Sequence, residues 1–253
     1  MFFLKIFDTR VLPIMSYGSE VWGLYPAADI CENVHFYAMK KNFNVSLRTP
    51  NDFMYKEIDR YPIITIVLII NCIRYWLKVL TMDVSRLPKK AYLFLLNMDT
   101  KGKKCWATYV RNCLSSYGFG FVWDQQGVGD VKSFLAVLKQ RMIDVRWQNW
   151  NAHVNESERF DVYRSFCCSS KIVPKYINMN INGHIKALMT KFRFGVSNIS
   201  THFYRYRQHN ERDLLCPMCK LDIENEVHFL LCCPFLNDLR VQYIPTKFYR
   251  TPI

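Results

Sequence analysis

The stretch LLCPMCKLDIENEVHFLLCCPFL, residues 214–236, brings Cys216, Cys219, His228, Cys232 and Cys233 close together in the chain. Thiolate and imidazole are the donors that zinc-type ions take, and two cysteines two residues apart, here with Pro217 between them, form half of a tetrahedral site. The cluster reads C-x2-C-x8-H-x3-C if Cys232 closes it, or C-x2-C-x8-H-x4-C if Cys233 does. Three thiolates and one imidazole fill a tetrahedron and leave no position for water or substrate. The expected ion is therefore a structural Zn2+ that folds the segment. An iron–sulfur cluster is the weaker expectation, because a closed shell of this kind needs no redox chemistry.

Local geometry leaves the last ligand open. The run ENEVHFLLCC reads as helical, which places Cys232, four residues after His228, on the same face. Cys233 precedes Pro234, which excludes it from the helical region, so the chain turns there and that thiolate can swing back.

Other chemistry is poorly supplied. The run GFGFVWDQQG imitates a phosphate-binding loop but lacks the lysine. No two aspartates are adjacent, so the paired carboxylates of two-metal phosphoryl chemistry are missing. Glu57, Asp59 and Asp144 read as solvated helix charges. The chain is not expected to be an enzyme by itself.

Charge points to a partner. The formal net charge is +13, and residues 162–210 contain no acid while Arg164, Lys171, Lys175, Lys186, Lys191, Arg193, Arg205 and Arg207 lie among them. Such a run favours a polyanion, nucleic acid before an anionic membrane. The segment KFRFGVSNISTHFYRYR, residues 191–207, interleaves the cations with Phe192, Phe194, Phe203, Tyr204 and Tyr206, and rings beside cations can stack on unpaired bases. Lys186, Lys191, Arg193, Phe203, Tyr204, Arg205, Tyr206 and Arg207 are the candidate contacts with RNA or DNA.

The elements that must position these residues read as mainly α. Helical spacing runs from Phe3 to Val11, with Pro13 breaking or kinking it, and again from Ala28 to about Leu47, with Ile30, Val34, Tyr37 and Ala38 on one face. Pro62 suits the first turn of the next helix, whose run Ile63–Ile70 is too short to span a bilayer and reads as a central core helix. A shorter helix is expected near 91–98. Asp130 caps the strongest periodicity in the chain, residues 131–150. Shorter helices follow near 160–168 and 181–194. Residues 115–130 mix glycine with aromatic residues and read as a loop or domain boundary. Ten cysteines, several in apolar surroundings, fit reduced thiols in an intracellular compartment better than a disulfide framework.

C-P-x-C, an acidic stretch ending at His228-Phe229-Leu230, and a cysteine followed by proline together resemble the CCHC motif near the carboxyl end of non-LTR (LINE-type) retrotransposon reverse transcriptases. VLPIMSYGSEVWG, residues 11–23, looks like the segment of that family that leaves the palm and opens the thumb, and TPNDFMYKEIDRYPI, residues 49–63, resembles a later part of the thumb. The resemblance implies that the ligands are Cys216, Cys219, His228 and Cys233, with Cys232 spare and packed on the inner face of its helix. It implies a thumb-like helical domain over 1–120, a basic helical connector over 121–210, and a zinc module with its tail over 211–253. The implied function is that of a non-catalytic carboxyl-terminal fragment that binds nucleic acid and works with the polymerase part of the same element. Two rival expectations are a zinc-stabilised helical module that contacts proteins, and a decayed reading frame with no selected function.

Overall fold

The computed structural model describes residues 2–58, 60, 62–156, 163–164, 174–195, 215–246 and 249. They are mainly helical: α1 (Phe2–Ile6), α2 (Leu12–Met15), α3 (Ser19–Trp22), α4 (Asp29–Asn42), α5 (Asn51–Ile58), α6 (Ile63–Leu80), α7 (Leu87–Thr100), α8 (Trp106–Ser116), α9 (Gly120–Asp124), α10 (Val131–Glu156), α11 (Lys175–Asn178), α12 (Gly183–Arg193) and α13 (Asn237–Tyr243). One π-type turn, Phe7–Val11, joins α1 to α2, and another, His228–Cys232, precedes α13. Pro13 does not break the first helical run. The run continues from Phe2 to Met15, and the π-type turn Phe7–Val11 just before the proline is where it departs from regular α geometry. No helix among the described residues is long and apolar enough to cross a membrane.

The chain divides into two compact units, Met1–Asn42 with Met54–Ala152, and Phe43–Phe53 with His153–Ile253. These divisions differ from the ones expected at residues 120 and 210. The glycine-rich stretch expected to be a boundary contains α9, whose Val122 and Trp123 are buried in the core of the first unit. That core is built on α6, apolar on most sides. Its Ile66, Ile69, Ile73, Trp76 and Val79 meet Tyr92 of α7, Val110 and Leu114 of α8, and Leu138 and Met142 of α10. Trp76 and Trp123 stack with ring centroids 5.6 Å apart.

The motif SYGSEVWG is explained by its packing on α6. Gly18 has φ +69°, a left-handed conformation open to glycine. A Cβ at Gly23 would lie 2.9 Å from the Leu68 carbonyl oxygen, so only glycine lets α3 end this close to α6. Cys72 lies fully buried beside α3 and donates from Sγ to the Ser19 carbonyl at 2.9 Å. Burial pushes its thiol up to about 11, so it is an inert packing group.

Of the face expected to turn inward on α4, only Ala38 is buried. Ile30, Val34 and Tyr37 face solvent, while Glu32 and His35 are buried with Phe36 and Met39. The cause is polar. The cap of α6 is Pro62, which offers no side-chain acceptor, and Glu32 supplies one from α4. Its Oε2 accepts from Thr65 N–H at 3.0 Å and Thr65 Oγ1 at 3.1 Å, and its Oε1 accepts from the Tyr55 hydroxyl at 3.1 Å and pairs with His35 Nδ1 at 2.7 Å. Orphan helix N–H groups must be satisfied, and this constraint outranks the burial of three aliphatic or aromatic faces. Glu57 is likewise buried at 1% exposure, not solvated as expected, and Asp59 lies outside the described residues. Asp144 is half-buried and accepts from Gln140 Nε2 at 2.9 Å.

α10 begins as the sequence indicates, with Asp130 Oδ1 accepting from Lys132 N–H at 2.9 Å and Ser133 N–H at 3.3 Å. In the second unit Phe53 stacks on Phe194 at 4.6 Å and meets Tyr163 edge-on at 5.0 Å.

Desolvation pushes the Glu32 carboxyl upward, but its hydrogen bonds to His35, Thr65 and Tyr55 outweigh that and hold it below the usual range. A lowered folded-state value contributes stability above the unfolded value of about 4.3 and loses it as pH falls through the folded one. Glu32→Gln is therefore expected to cost about 1–3 kcal/mol at pH 7. In urea unfolding followed by circular dichroism, that cost should shrink as pH falls below about 4 and through the lowered folded-state value of Glu32, and a cost that stays constant down to the acid limit of folding excludes the charged cap.

Candidate metal centre

The first two ligands sit on a tight knuckle. Leu215 and Ile223 pair as an antiparallel bridge, the Cys216 N–H donates to the Asp222 carbonyl at 2.8 Å, and the Lys220 N–H donates to the Cys216 carbonyl at 2.8 Å. To close this loop Lys220 takes φ +58°, a conformation that costs a residue with a Cβ about 1–2 kcal/mol.

His228 enters from a short helical segment capped by Asn225, whose Oδ1 accepts from the His228 N–H at 2.8 Å. A π-type turn then spans His228–Cys232, and the Cys233 N–H donates to the His228 carbonyl, five residues back, at 2.7 Å. This widened turn brings the fifth residue to roughly 50° from the first, against roughly 140° in an α-helix, and bonds its N–H to the first residue's carbonyl. Cys233 consequently faces His228 from an extended conformation, φ −59° and ψ 119°, as its place before proline requires. Cys232 is exposed, which corrects the expectation that it packs inward.

Cys216, Cys219, His228 and Cys233 form a cluster that could hold a metal ion, their ligand atoms all within 4.8 Å of one another. Cys216 Sγ is 3.9 Å from Cys233 Sγ, and Cys219 Sγ is 3.3 Å from His228 Nε2. All but the half-buried Cys219 are buried. With Nε2 facing the thiols, His228 Nδ1 is buried without a hydrogen-bond partner, and Asp222 Oδ2 lies 3.8 Å from it. That places a carboxylate where a ligand histidine's second nitrogen commonly finds one. Desolvation acts to raise both Cys219 and Cys233. At Cys233 it prevails, with the Cys216 and Cys219 thiols adding to it. At Cys219 the Leu221 and Asp222 backbone N–H groups and the Cys216 and Cys233 thiols outweigh it and hold the thiol below its ordinary value.

Of the candidate nucleic-acid contacts, Lys186, Lys191 and Arg193 lie on α12, while Phe203, Tyr204, Arg205, Tyr206 and Arg207 fall outside the described residues. Lys186 Nζ donates to the Ile177 carbonyl at 3.0 Å, which ties α12 to α11. Arg193 lies over the buried Tyr163 ring at 6.0 Å. Phe194 is core, and Phe192 packs on Phe229 of the metal turn with centroids 5.9 Å apart. These two rings pack against other side chains of the protein. The Phe192–Phe229 contact nevertheless sets the end of α12, with Lys191 and Arg193, beside the metal cluster. The sequence reading missed the roles of Asn225, Asp222 and Arg240. Asn225 three residues before His228 is a legible cap signal; the other two depend on the turn that follows.

No protein-family model, no curated protein and no solved structure matches the chain.

Cys233→Ser should abolish stoichiometric metal uptake, measured by native mass spectrometry, while Cys232→Ser retains it. In the loaded protein iodoacetamide should modify Cys232 ahead of the other three thiols of the cluster. At the knuckle, Lys220→Val should lower the melting stability of the loaded module by about 1–2 kcal/mol and Lys220→Gly should not. Equal losses in both place the constraint elsewhere than in the backbone.

Proposed function

We propose that the chain is a zinc-bearing, non-catalytic carboxyl-terminal part of a LINE-type reverse transcriptase that binds RNA or DNA. The observation that carries the zinc reading is the closure of the CCHC cluster into one shell. Tetrahedral zinc, with Zn–S near 2.3 Å and Zn–N near 2.0–2.1 Å, sets ligand–ligand edges of about 3.8 Å between sulfurs and about 3.6 Å between sulfur and nitrogen. The separations of 3.9 Å for Cys216–Cys233 and 3.3 Å for Cys219–His228 fit those edges. Cys216, Cys219 and Cys233 as thiolates and His228 through Nε2 would hold the ion. When bound it supplies cross-linking of the knuckle to the following turn and no open position for chemistry.

The family and the nucleic-acid role are supported by the three sequence resemblances, by the acid-free run over residues 162–210, and by the seating of Lys191 beside the metal module through Phe192 and Phe229. Cations there would neutralise phosphates without reading sequence. The polymerase part of the same element is the expected protein partner, and an intracellular site follows from the thiol chemistry.

A second reading has its own support. Met218, Leu221, Phe235 and Leu239 are exposed at 48%, 76%, 65% and 57%, an apolar presence around the metal module that suits contact with protein.

Fluorescence anisotropy with short single-stranded RNA and DNA separates the two. Nucleic-acid binding should weaken with salt, with log K against log[salt] falling by about 0.7 for each phosphate neutralised. Lys191→Gln with Arg205→Gln and Arg207→Gln should lower the slope and the affinity. No binding by metal-loaded protein at low salt removes the nucleic-acid reading and leaves the protein-contact one.

A further inference from the structure

The turn that delivers Cys233 deprives the Leu230 carbonyl of the donor that residue 234 would supply, while the Cys233 carbonyl accepts from the Leu236 N–H at 3.2 Å. In a regular helix the N–H of residue 234 would donate to the carbonyl of Leu230, but Pro234 has none. Arg240 of α13 stands in that place. Its Nε donates to the Leu230 carbonyl at 2.9 Å and its Nη2 to the Cys233 carbonyl at 2.6 Å. The side chain is only 2% exposed, its Nη1 has no hydrogen-bond partner, and its guanidinium carbon lies 5.7 Å from the Tyr249 ring centroid. Among the described residues no carboxylate pairs with it.

A buried guanidinium without an acid is costly, and such a group is expected to have a compensating charge. The cluster beside it supplies one when loaded, since three thiolates and a neutral imidazole around a divalent ion carry a net charge of −1. The carbonyl it grips is that of the ligand Cys233 itself. Fixing that carbonyl fixes the backbone angle that turns the thiolate towards Cys216 and His228.

We propose that Arg240 is a positioning residue of the metal centre: it replaces the N–H that Pro234 lacks, locks Cys233 in its ligating conformation, and offsets the negative charge of the loaded site. The inference rests on the zinc reading above. Nothing in it depends on what the module binds.

The test uses the full chain loaded with Zn2+, with affinity measured by competition against a chromophoric chelator, and with Co2+ as a spectroscopic substitute. Arg240→Lys keeps the charge but cannot serve both carbonyls, and Arg240→Leu removes charge and donors. Outer-shell losses at metal sites run to about 10–100-fold in affinity. Arg240→Leu is expected near the upper end and Arg240→Lys between it and the parent. The visible d–d bands of the Co2+ protein should shift in both, as the Cys233 thiolate is displaced. In a Pro234→Ala background, which restores the N–H at 234, the penalty of Arg240→Lys should shrink, a coupling that a general loss of packing does not produce. Unchanged affinity and unchanged Co2+ bands in both variants, with the parent fully loaded, overturn the proposal. If the parent takes up no metal, the zinc reading itself has failed and Arg240 is only a brace for the turn.

Discussion

The metal centre depends on one departure from regular backbone. In an α-helix the residue five places on points roughly 140° away from the first, so His228 and Cys233 could not face one ion from a regular helix. The widened turn over His228–Cys232 removes most of that misalignment. It does so at a cost, because π-type bonding and the proline that follows leave carbonyls to be satisfied from outside the segment. Arg240 supplies the donor for the Leu230 carbonyl and a second one to the Cys233 carbonyl, beside the Leu236 N–H. The candidate ligands, the proline, the turn and the buried arginine are therefore linked through the same few carbonyls.

The first unit and the metal-cluster segment differ in what holds them. The first has a continuous apolar core around α6, with Trp76, Leu114, Val122 and Leu138 nearly or fully buried. Its polar constraint, the Glu32 cap on α6, is met inside the unit. Around the metal cluster the buried residues are mostly the ligands themselves together with Glu224, Glu226 and Arg240. With so little apolar burial among its described residues, this segment would draw folding free energy from the proposed ion, as structural zinc sites do. A closed shell of four protein ligands is the form that serves such a purpose. An open coordination position, which catalysis needs, would weaken it.

Legibility followed the kind of signal. The central helix, the Asp130 cap and the ligands Cys216, Cys219 and His228 are written locally, in periodicity and in short spacings. Cys233 was not legible from spacing alone, because the fourth residue is the right one in an α-helix and the fifth only in a widened turn. The family resemblance pointed to it, and the backbone supplies the reason. α4 was misjudged for a different cause: its apolar stripe of Ile30, Val34 and Tyr37 suggested the inward face, but the acceptors that α6 needs come from Glu32, on the opposite side. A demand set by another helix has no trace in the periodicity of α4. The same holds for the glycine-rich stretch around α9, where Val122 and Trp123 look like a loop in composition and are core by contact.

The basic segment is the place where composition promised most and packing has claimed a part. Lys186 spends its ammonium on the Ile177 carbonyl, and Phe194 is buried against Phe53. A charge count treats all eight cations of residues 162–210 alike, whereas a polyanion can use only those whose heads reach solvent. Any nucleic-acid surface in this unit must therefore be narrower than the acid-free run. On the proposed reading it would centre on Lys191 at the end of α12 and on the arginines that follow in sequence; Phe192 packs that helix end on Phe229 of the turn that carries the candidate metal ligands. If the proposed ion is bound, it would brace the same turn on which Phe192 and the end of α12 rest, so the metal cluster and those cations are physically linked through the Phe192–Phe229 contact.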